Sequence, residues 1–293
     1  MFITRISAAV SAAAFVAGLL IGSAAAHDET KYPDFNCQWR RAGNVGGGLR
    51  GLGFDPTKPM GREQKPPLTA EYQAIYEANL KDMEQGGQGI DPTITCLSPG
   101  MPRVMMPYQG LKVALTAETT YILFSRDWDF HRQIYTDGRA FPSEAEMELH
   151  PKYLGYSIGK WVDTDNDGRY DTLEVETRGF KGPRVYDASG IPLHSDNQTV
   201  IHERIYLDKA DRNVMRNEMT ILDHALTQPW VVRQSYRRIV SDKPMWFSHD
   251  TCGEGNNHVV VGKENYFLSA DGYLMPTKKD QAPPDLRFFK KVP

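Results

Sequence analysis

Cysteine is scarce in this chain. Cys37, Cys96 and Cys252 are the only three among 293 residues, so an oxidising compartment leaves one disulfide with one thiol over, and the sequence does not say which pair joins. A large excess of either charge is absent as well. The formal net charge is −3 and no basic tract occurs, which argues against nucleic acid as a partner. A glycine trio, Gly46, Gly48 and Gly51, has the spacing of a dinucleotide loop, but no strand pattern precedes it and no helix pattern follows, so no organic cofactor is implied. No G-x-S-x-G elbow is present, and Ser248, His249 and Asp250 are chain neighbours whose side chains would diverge, which argues against a hydrolytic triad.

The long apolar run that does occur lies at the N-terminus. Arg5 precedes an alanine-rich stretch from Ile6 to Ile21, and Ala24 and Ala26 supply an A-x-A cleavage site. Residues 1–26 therefore read as an export signal, with His27 as the new first residue and a periplasmic or secreted destination. The apolar part is shorter than the roughly 20 residues that a bilayer core requires, so no membrane anchoring is expected after cleavage.

The remainder is long enough for one large or two small domains. Residues 27–95 form an expected irregular segment with one helix at about 69–85. Thr69 suits its N-cap, Gly86 and Gly87 stop it, and Tyr72, Ile75, Tyr76, Leu80 and Met83 share one face. From Cys96 to Leu268 short β-branched and aromatic runs alternate with turn signals. Eight such runs, from KVALT at Lys112 to WVVRQSYRRI at Trp230, predict a mainly β fold: an antiparallel, lipocalin-like barrel or bent sandwich with one flanking helix. Residues 269–293 form a C-terminal tail.

Residues 163–174, DTDNDGRYDTLE, carry five carboxylates. Asp163, Asp165, Asp167 and Asp171 would repel one another without a counter-charge, and their alternate spacing suits a hard cation. Gly168 permits the reversal, and the Arg169 carbonyl is the expected seventh-place ligand. Strand patterns flank the loop, so the expectation is a Ca2+ loop at a β-hairpin tip, resembling those of integrin-type propeller repeats, and not an EF-hand. A solvated acidic turn is the alternative. Whether Glu174 joins the site is left open.

The stretches CLSPGMPR, RQIYTDGRAFP, GYSIGKWV with DTLEVETRGF, HSDNQTVIHERI and QPW, from Cys96 to Trp230, resemble a widespread family of exported bacterial proteins. In that family the strands around Trp161 join through a short W-E-G-D-T turn, which implies that the acidic loop is a local elaboration. The resemblance supplies a grouping and no reaction.

Ionisable groups within strands are costly inside a barrel unless paired or used. On TVIHERIYL, His202, Arg204 and Tyr206 share one face, with Thr199, Ile201, Glu203, Ile205 and Leu207 on the other. If the first face lines a cavity, His202 is a candidate acid or base, His131 its partner, and His194 a third histidine on a nearby loop. Arg132, Arg139, Arg204 and Tyr206 are then candidate substrate anchors. Two weaker metal readings are an N-terminal His27 for copper and His249, Cys252 and His258 for zinc. The expected function is capture of a small aromatic or carboxylated molecule with cofactor-free lyase or isomerase chemistry. A non-catalytic binding or scaffold protein is the competing class, and the oligomeric state is not legible.

Overall fold

The computed structural model describes residues 28–42, 66–107, 110–124, 131–196, 198–240, 258–269 and 273–284. The export signal, His27, the glycine trio, the Ser248–Asp250 stretch, His249 and Cys252 lie outside the described residues.

Nine strands close into a barrel. In chain order they are β1 (Gln38–Arg41), β2 (Leu111–Leu115), β3 (Thr119–Phe124), β4 (His131–Tyr135), β5 (Tyr156–Val162), β6 (Thr172–Arg178), β9 (Val200–Leu207), β10 (Val214–Leu222) and β11 (Trp230–Arg238). The ring runs β1-β11-β10-β9-β6-β5-β4-β3-β2, and β2 pairs with β1 to seal it. Two short strands, β7 (Arg184–Val185) and β8 (Pro192–Leu193), form a separate ribbon between β6 and β9. The mainly β barrel expected from the eight runs is therefore present. The ninth strand, β1, comes from the segment read as irregular.

One pairing departs from the antiparallel expectation. β4 and β5 run parallel over two residue pairs, Ile134 with Ser157 and Tyr135 with Ile158. A parallel pair cannot be joined by a tight turn. The chain crosses back through residues 136–155, which include a short helix, α2 (Glu144–Leu149). Ser143 caps α2 through a reciprocal capping box with Glu146.

The flanking helix, α1 (Ala70–Glu84), starts at Thr69, whose Oγ1 accepts from the Tyr72 N–H at 3.4 Å. Its buried stripe is narrower than the periodicity suggests, because Tyr76 and Leu80 are buried while Ile75 is exposed. Asn79 completes the stripe, donating to the Ser189 carbonyl at 2.8 Å and accepting from the Ile90 N–H at 2.9 Å. The helix thus clamps the turn of the β7–β8 ribbon. Ser98 to Met106 covers another part of the barrel: Met101, Met105 and Met106 are buried, and the Tyr236 hydroxyl donates to the Met105 carbonyl at 2.5 Å. These pieces and the inward faces of the strands form one apolar cluster. Each fully buried Leu, Ile or Met in it stabilises by about 1.5–3 kcal/mol.

The barrel's last strand ends at Arg238. Beyond it, β12 (His258–Val261), β13 (Glu264–Leu268) and β14 (Leu274–Pro276) make a separate three-stranded sheet, so the C-terminal segment read as barrel and tail is a small sheet of its own.

Candidate functional site

The strand periodicity leaves one question to the structure: which face looks inward. Side chains from five consecutive barrel strands meet at one point, which is possible only on the concave side. Arg132 of β4 forms two hydrogen bonds to the Glu203 carboxylate of β9, one from Nη1 at 3.0 Å and a shorter one from Nη2. Arg132 Nη2 also donates to Thr177 Oγ1 of β6 at 2.9 Å and Nε lies 3.4 Å from Ser157 Oγ of β5, while Asn217 of β10 donates to Glu203 at 2.9 Å. Both charged side chains are sealed, at 1% and 0% exposure. The interior is therefore filled by a paired arginine and glutamate together with Trp39, Ile134, Met219 and Tyr236.

This geometry corrects the expectation for the histidine-bearing strands. His202, Arg204 and Tyr206 lie on the convex face, and Ile201, Glu203, Ile205 and Leu207 point inward. The apolar residues decide the matter, since burying three of them outweighs any arrangement that would expose them. His202 Nδ1 faces Glu176 across the β6–β9 pair at 3.7 Å, half exposed. His131 is also outside, beside Gln133 at 3.1 Å and the Tyr121 ring at 5.6 Å. Arg132 does point inward, but the anion it holds is the protein's own Glu203. Arg139 is a surface group, bonded to Asp137 with its guanidinium 3.9 Å from the centroid of the Tyr135 ring.

The acidic stretch, residues 163–171, is the connection of a hairpin: β5 and β6 pair antiparallel up to Val162 and Thr172. Asp163 accepts from the N–H groups of Asp167 at 3.2 Å and Gly168 at 2.9 Å, which folds the loop back on itself. Asn166 and Gly168 adopt left-handed backbone, φ 59° and 87°. Carboxylate oxygens of Asp163, Asp165 and Asp167 then lie within 4.8 Å of one another, close enough to share one cation. Asp171 does not join that trio; Thr164 Oγ1 donates to it at 2.5 Å. Burial alone would raise the Asp171 carboxyl, but hydrogen bonds with Thr164 and Thr172 outweigh it and hold the group below its usual range. Glu174 lies on β6 and pairs with Arg204 at 3.5 Å, outside the loop.

The hairpin tip overhangs a cleft of about 630 Å³ on the outer wall of the barrel. Asp165, Asp167, Arg169 and Asp171 line it from above, and Arg204, Tyr206, Lys209 and Arg212 from the β9–β10 side. Thus two of the expected substrate anchors and four of the expected metal residues converge, though outside the barrel. Lys209 pairs with Asp165 at 3.0 Å. A second, smaller groove of about 350 Å³, lined by His131, Tyr135, Lys152 and Tyr156, lies beside the short parallel pairing of β4 and β5.

His194, the third expected histidine, is in different company. It sits after β8 with Asp196, and the turn after β10 brings His224 to the same place. Asp196 Oδ2 lies 3.2 Å from His194 Nδ1 and 2.7 Å from His224 Nδ1. Partial burial would raise the Asp196 carboxyl, but hydrogen bonds from the His224 ring and the Gln198 N–H, with both imidazoles nearby, hold it below its usual range. Neither Asp196 nor His224 was singled out from the sequence. His194 and Asp196 are neighbours there, but only the folding of β9 and β10 brings His224 to them.

Cys96 is disulfide-bonded and Cys37 is a free, half-buried thiol. His258 lies on β12, and no helix among the described residues is long and apolar enough to cross a membrane. No family model matches this chain, and no curated protein and no solved structure matches it.

Proposed function

We propose that this chain is an exported binding protein that captures a small carboxylated or aromatic molecule in the outer-wall cleft, with Ca2+ held by the overhanging hairpin. The observation that carries this reading is the convergence of Arg204 and Tyr206 with the acidic loop around one volume of about 630 Å³. Asp163, Asp165 and Asp167 would supply the carboxylates for the cation, which takes oxygen ligands and would relieve their mutual repulsion. Arg169 and Arg212 line the cleft without a carboxylate partner among the described residues, so they are available to an anionic guest. Tyr170 and Tyr206 offer it aromatic faces.

The test uses the purified mature protein with and without Ca2+, incubated with a panel of phenolic and carboxylic compounds and read by native mass spectrometry. One retained class, lost in Arg204→Ala and Arg212→Ala, is the expected result. Equal retention by those variants would overturn the cleft assignment. For the cation, a chelator should lower the melting midpoint, because a ligand of the folded state alone stabilises it, by about 2.7 kcal/mol at a hundredfold excess over Kd. An unchanged midpoint would defeat the calcium assignment.

A second reading keeps the proton-transfer chemistry of a lyase or isomerase and moves it to the smaller groove. There His131, three tyrosines and Lys152 surround about 350 Å³, a set able to hold a phenolic compound and exchange a proton with it. Turnover of a panel compound that His131→Ala abolishes, with binding retained, would favour this reading over the first.

A further inference from the structure

Outside both cavities, the loops after β8 and β10 build a cluster that neither reading uses. Two buried groups hold its backbone. Asp223 accepts from the His194 N–H and the Ala225 N–H, each at 2.8 Å, and from Thr199 Oγ1 at 2.5 Å. Arg184 Nη2 donates to the carbonyls of His194 and Asp196, the second at 3.2 Å, and to Thr199 Oγ1 at 2.5 Å. Both side chains are 0% exposed. The start of α1 adds a third support, since the Thr69 N–H donates to the Ala225 carbonyl at 2.9 Å and the Tyr72 ring lies 5.7 Å from that of His194.

On this frame two imidazoles and one carboxylate point at a common centre. The rings of His194 and His224 stand nearly perpendicular, 82° apart, so their nitrogen lone pairs can approach one point from different directions. Their ligand atoms and an oxygen of Asp196 all lie within 4.8 Å of one another. We propose that His194, Asp196 and His224 bind a divalent transition-metal ion, with zinc as the type, and leave at least one coordination position open to an exogenous ligand.

The donor set selects the class of ion. Calcium and magnesium prefer oxygen, whereas two imidazole nitrogens with one carboxylate suit zinc and its neighbours. Three protein ligands are the count of an open site, while closed structural zinc sites have four. Bonds of about 2.0–2.1 Å in a tetrahedron set donors roughly 3.4 Å apart. The two separations from Asp196 Oδ2, 3.2 Å to His194 and 2.7 Å to His224, need to widen, and His224, the most exposed of the three at 65%, is free to move outward. One contact has to yield. The Asp196 N–H donates to His194 Nδ1 at 3.0 Å, and an ion on either ring nitrogen displaces that bond, by direct replacement or by fixing the other tautomer. The carbonyl and N–H anchors to Arg184 and Asp223 are untouched by that change, so the backbone that carries the ligands stays in place while it happens.

The experiment is a zinc titration of the full mature protein in excess Ca2+, which keeps the acidic hairpin occupied by its own ion. One zinc equivalent is expected, with affinity reduced at least tenfold in His224→Ala and in Asp196→Asn. His249→Ala and His258→Ala should bind as the wild type does. Far-UV circular dichroism and the metal-free melting midpoint establish that the variants are folded. Cobalt supplies a readout that needs no variant: its visible bands should have the intensity of four- or five-coordination and shift on addition of azide, which reports the open position. Absence of stoichiometric zinc on the wild-type protein, retention of full affinity by both cluster variants, or an octahedral cobalt spectrum indifferent to azide would each overturn the proposal.

Discussion

Glu203→Gln is the sharpest perturbation of the barrel interior. The wild-type carboxylate has 0% exposure, receives two hydrogen bonds from Arg132 and accepts from Asn217 at 2.9 Å. Glutamine keeps the volume and one acceptor, but it turns an N–H group toward the guanidinium and leaves that charge unbalanced in a sealed space. Breaking a buried pair from one side costs about 3–5 kcal/mol. At about 2–4 °C per kcal/mol for a domain of this size, the melting midpoint should fall by roughly 6–20 °C. Urea unfolding gives the free energy directly, and an unchanged slope would show that the folded state is as compact as before. The double variant Arg132→Met/Glu203→Leu removes both charges, and Ser157 and Thr177 keep their mutual hydrogen bond at 2.9 Å. It should lie within about 2 kcal/mol of the wild type, the loss coming from Asn217 without its acceptor. A cost under about 1 kcal/mol for Glu203→Gln, or a double variant as unstable as the two single changes added together, would refute the energetic coupling of the buried pair.

Other positions give independent checks. A side chain at Gly159 would place its Cβ 2.7 Å from Ile134 Cγ2 and 3.0 Å from Leu173 Cδ1, so Gly159→Val should cost about 1–3 kcal/mol by overpacking, read by urea unfolding. Gly168 has open space around it but φ +87°, so Gly168→Ala should cost only backbone strain, about 1–2 kcal/mol, and should weaken the proposed response of the melt to Ca2+. Burial pushes the Cys37 thiol up from 9.0 to about 11, with Arg238 opposing. Iodoacetamide should therefore react slowly at neutral pH, with a rate midpoint near 11. Because the folded value lies above the ordinary one, stability relative to Cys37→Ser should decline as pH rises between about 9 and 11, and a flat difference would contradict the burial.

The periodicity of two in Val200–Leu207 was legible, and so were the two faces it creates. Periodicity alone does not say which face is inside. The deciding signal was the apolar majority, Ile201, Ile205 and Leu207, and Glu203 among them masked it because an inward glutamate needs a partner that lies on another strand. That partner, Arg132, is 71 residues away in sequence. His131 and Arg132 are adjacent on one strand, so only one of them could face inward, and the pattern His-Arg-Gln-Ile-Tyr places Arg132 with the apolar Ile134. The hairpin loop was readable because its signal is local: carboxylates at alternate places and a glycine at the reversal. The four-residue β1 was not, since Gln38–Arg41 carries one buried tryptophan and two arginines with no alternation long enough to detect.

A closed barrel of about this strand number holds a ligand only if its inward side chains are small or its ends are open. Here Trp39, Arg132 and Tyr236 are among the largest buried side chains, and Tyr236 is tied to the covering segment through Met105. A guest inside would have to displace a paired guanidinium and carboxylate, which costs more than a small molecule's contacts return. The recognition proposed above therefore lies outside, on loops held by a rigid wall. The acidic hairpin is rooted in seven β5–β6 residue pairs, and the His194 cluster is rooted in buried Arg184 and Asp223. In both proposed sites the barrel contributes fixed anchor points and the loops contribute the ligand groups, so a change in a loop would alter the proposed binding while the paired core that sets stability stays as it was.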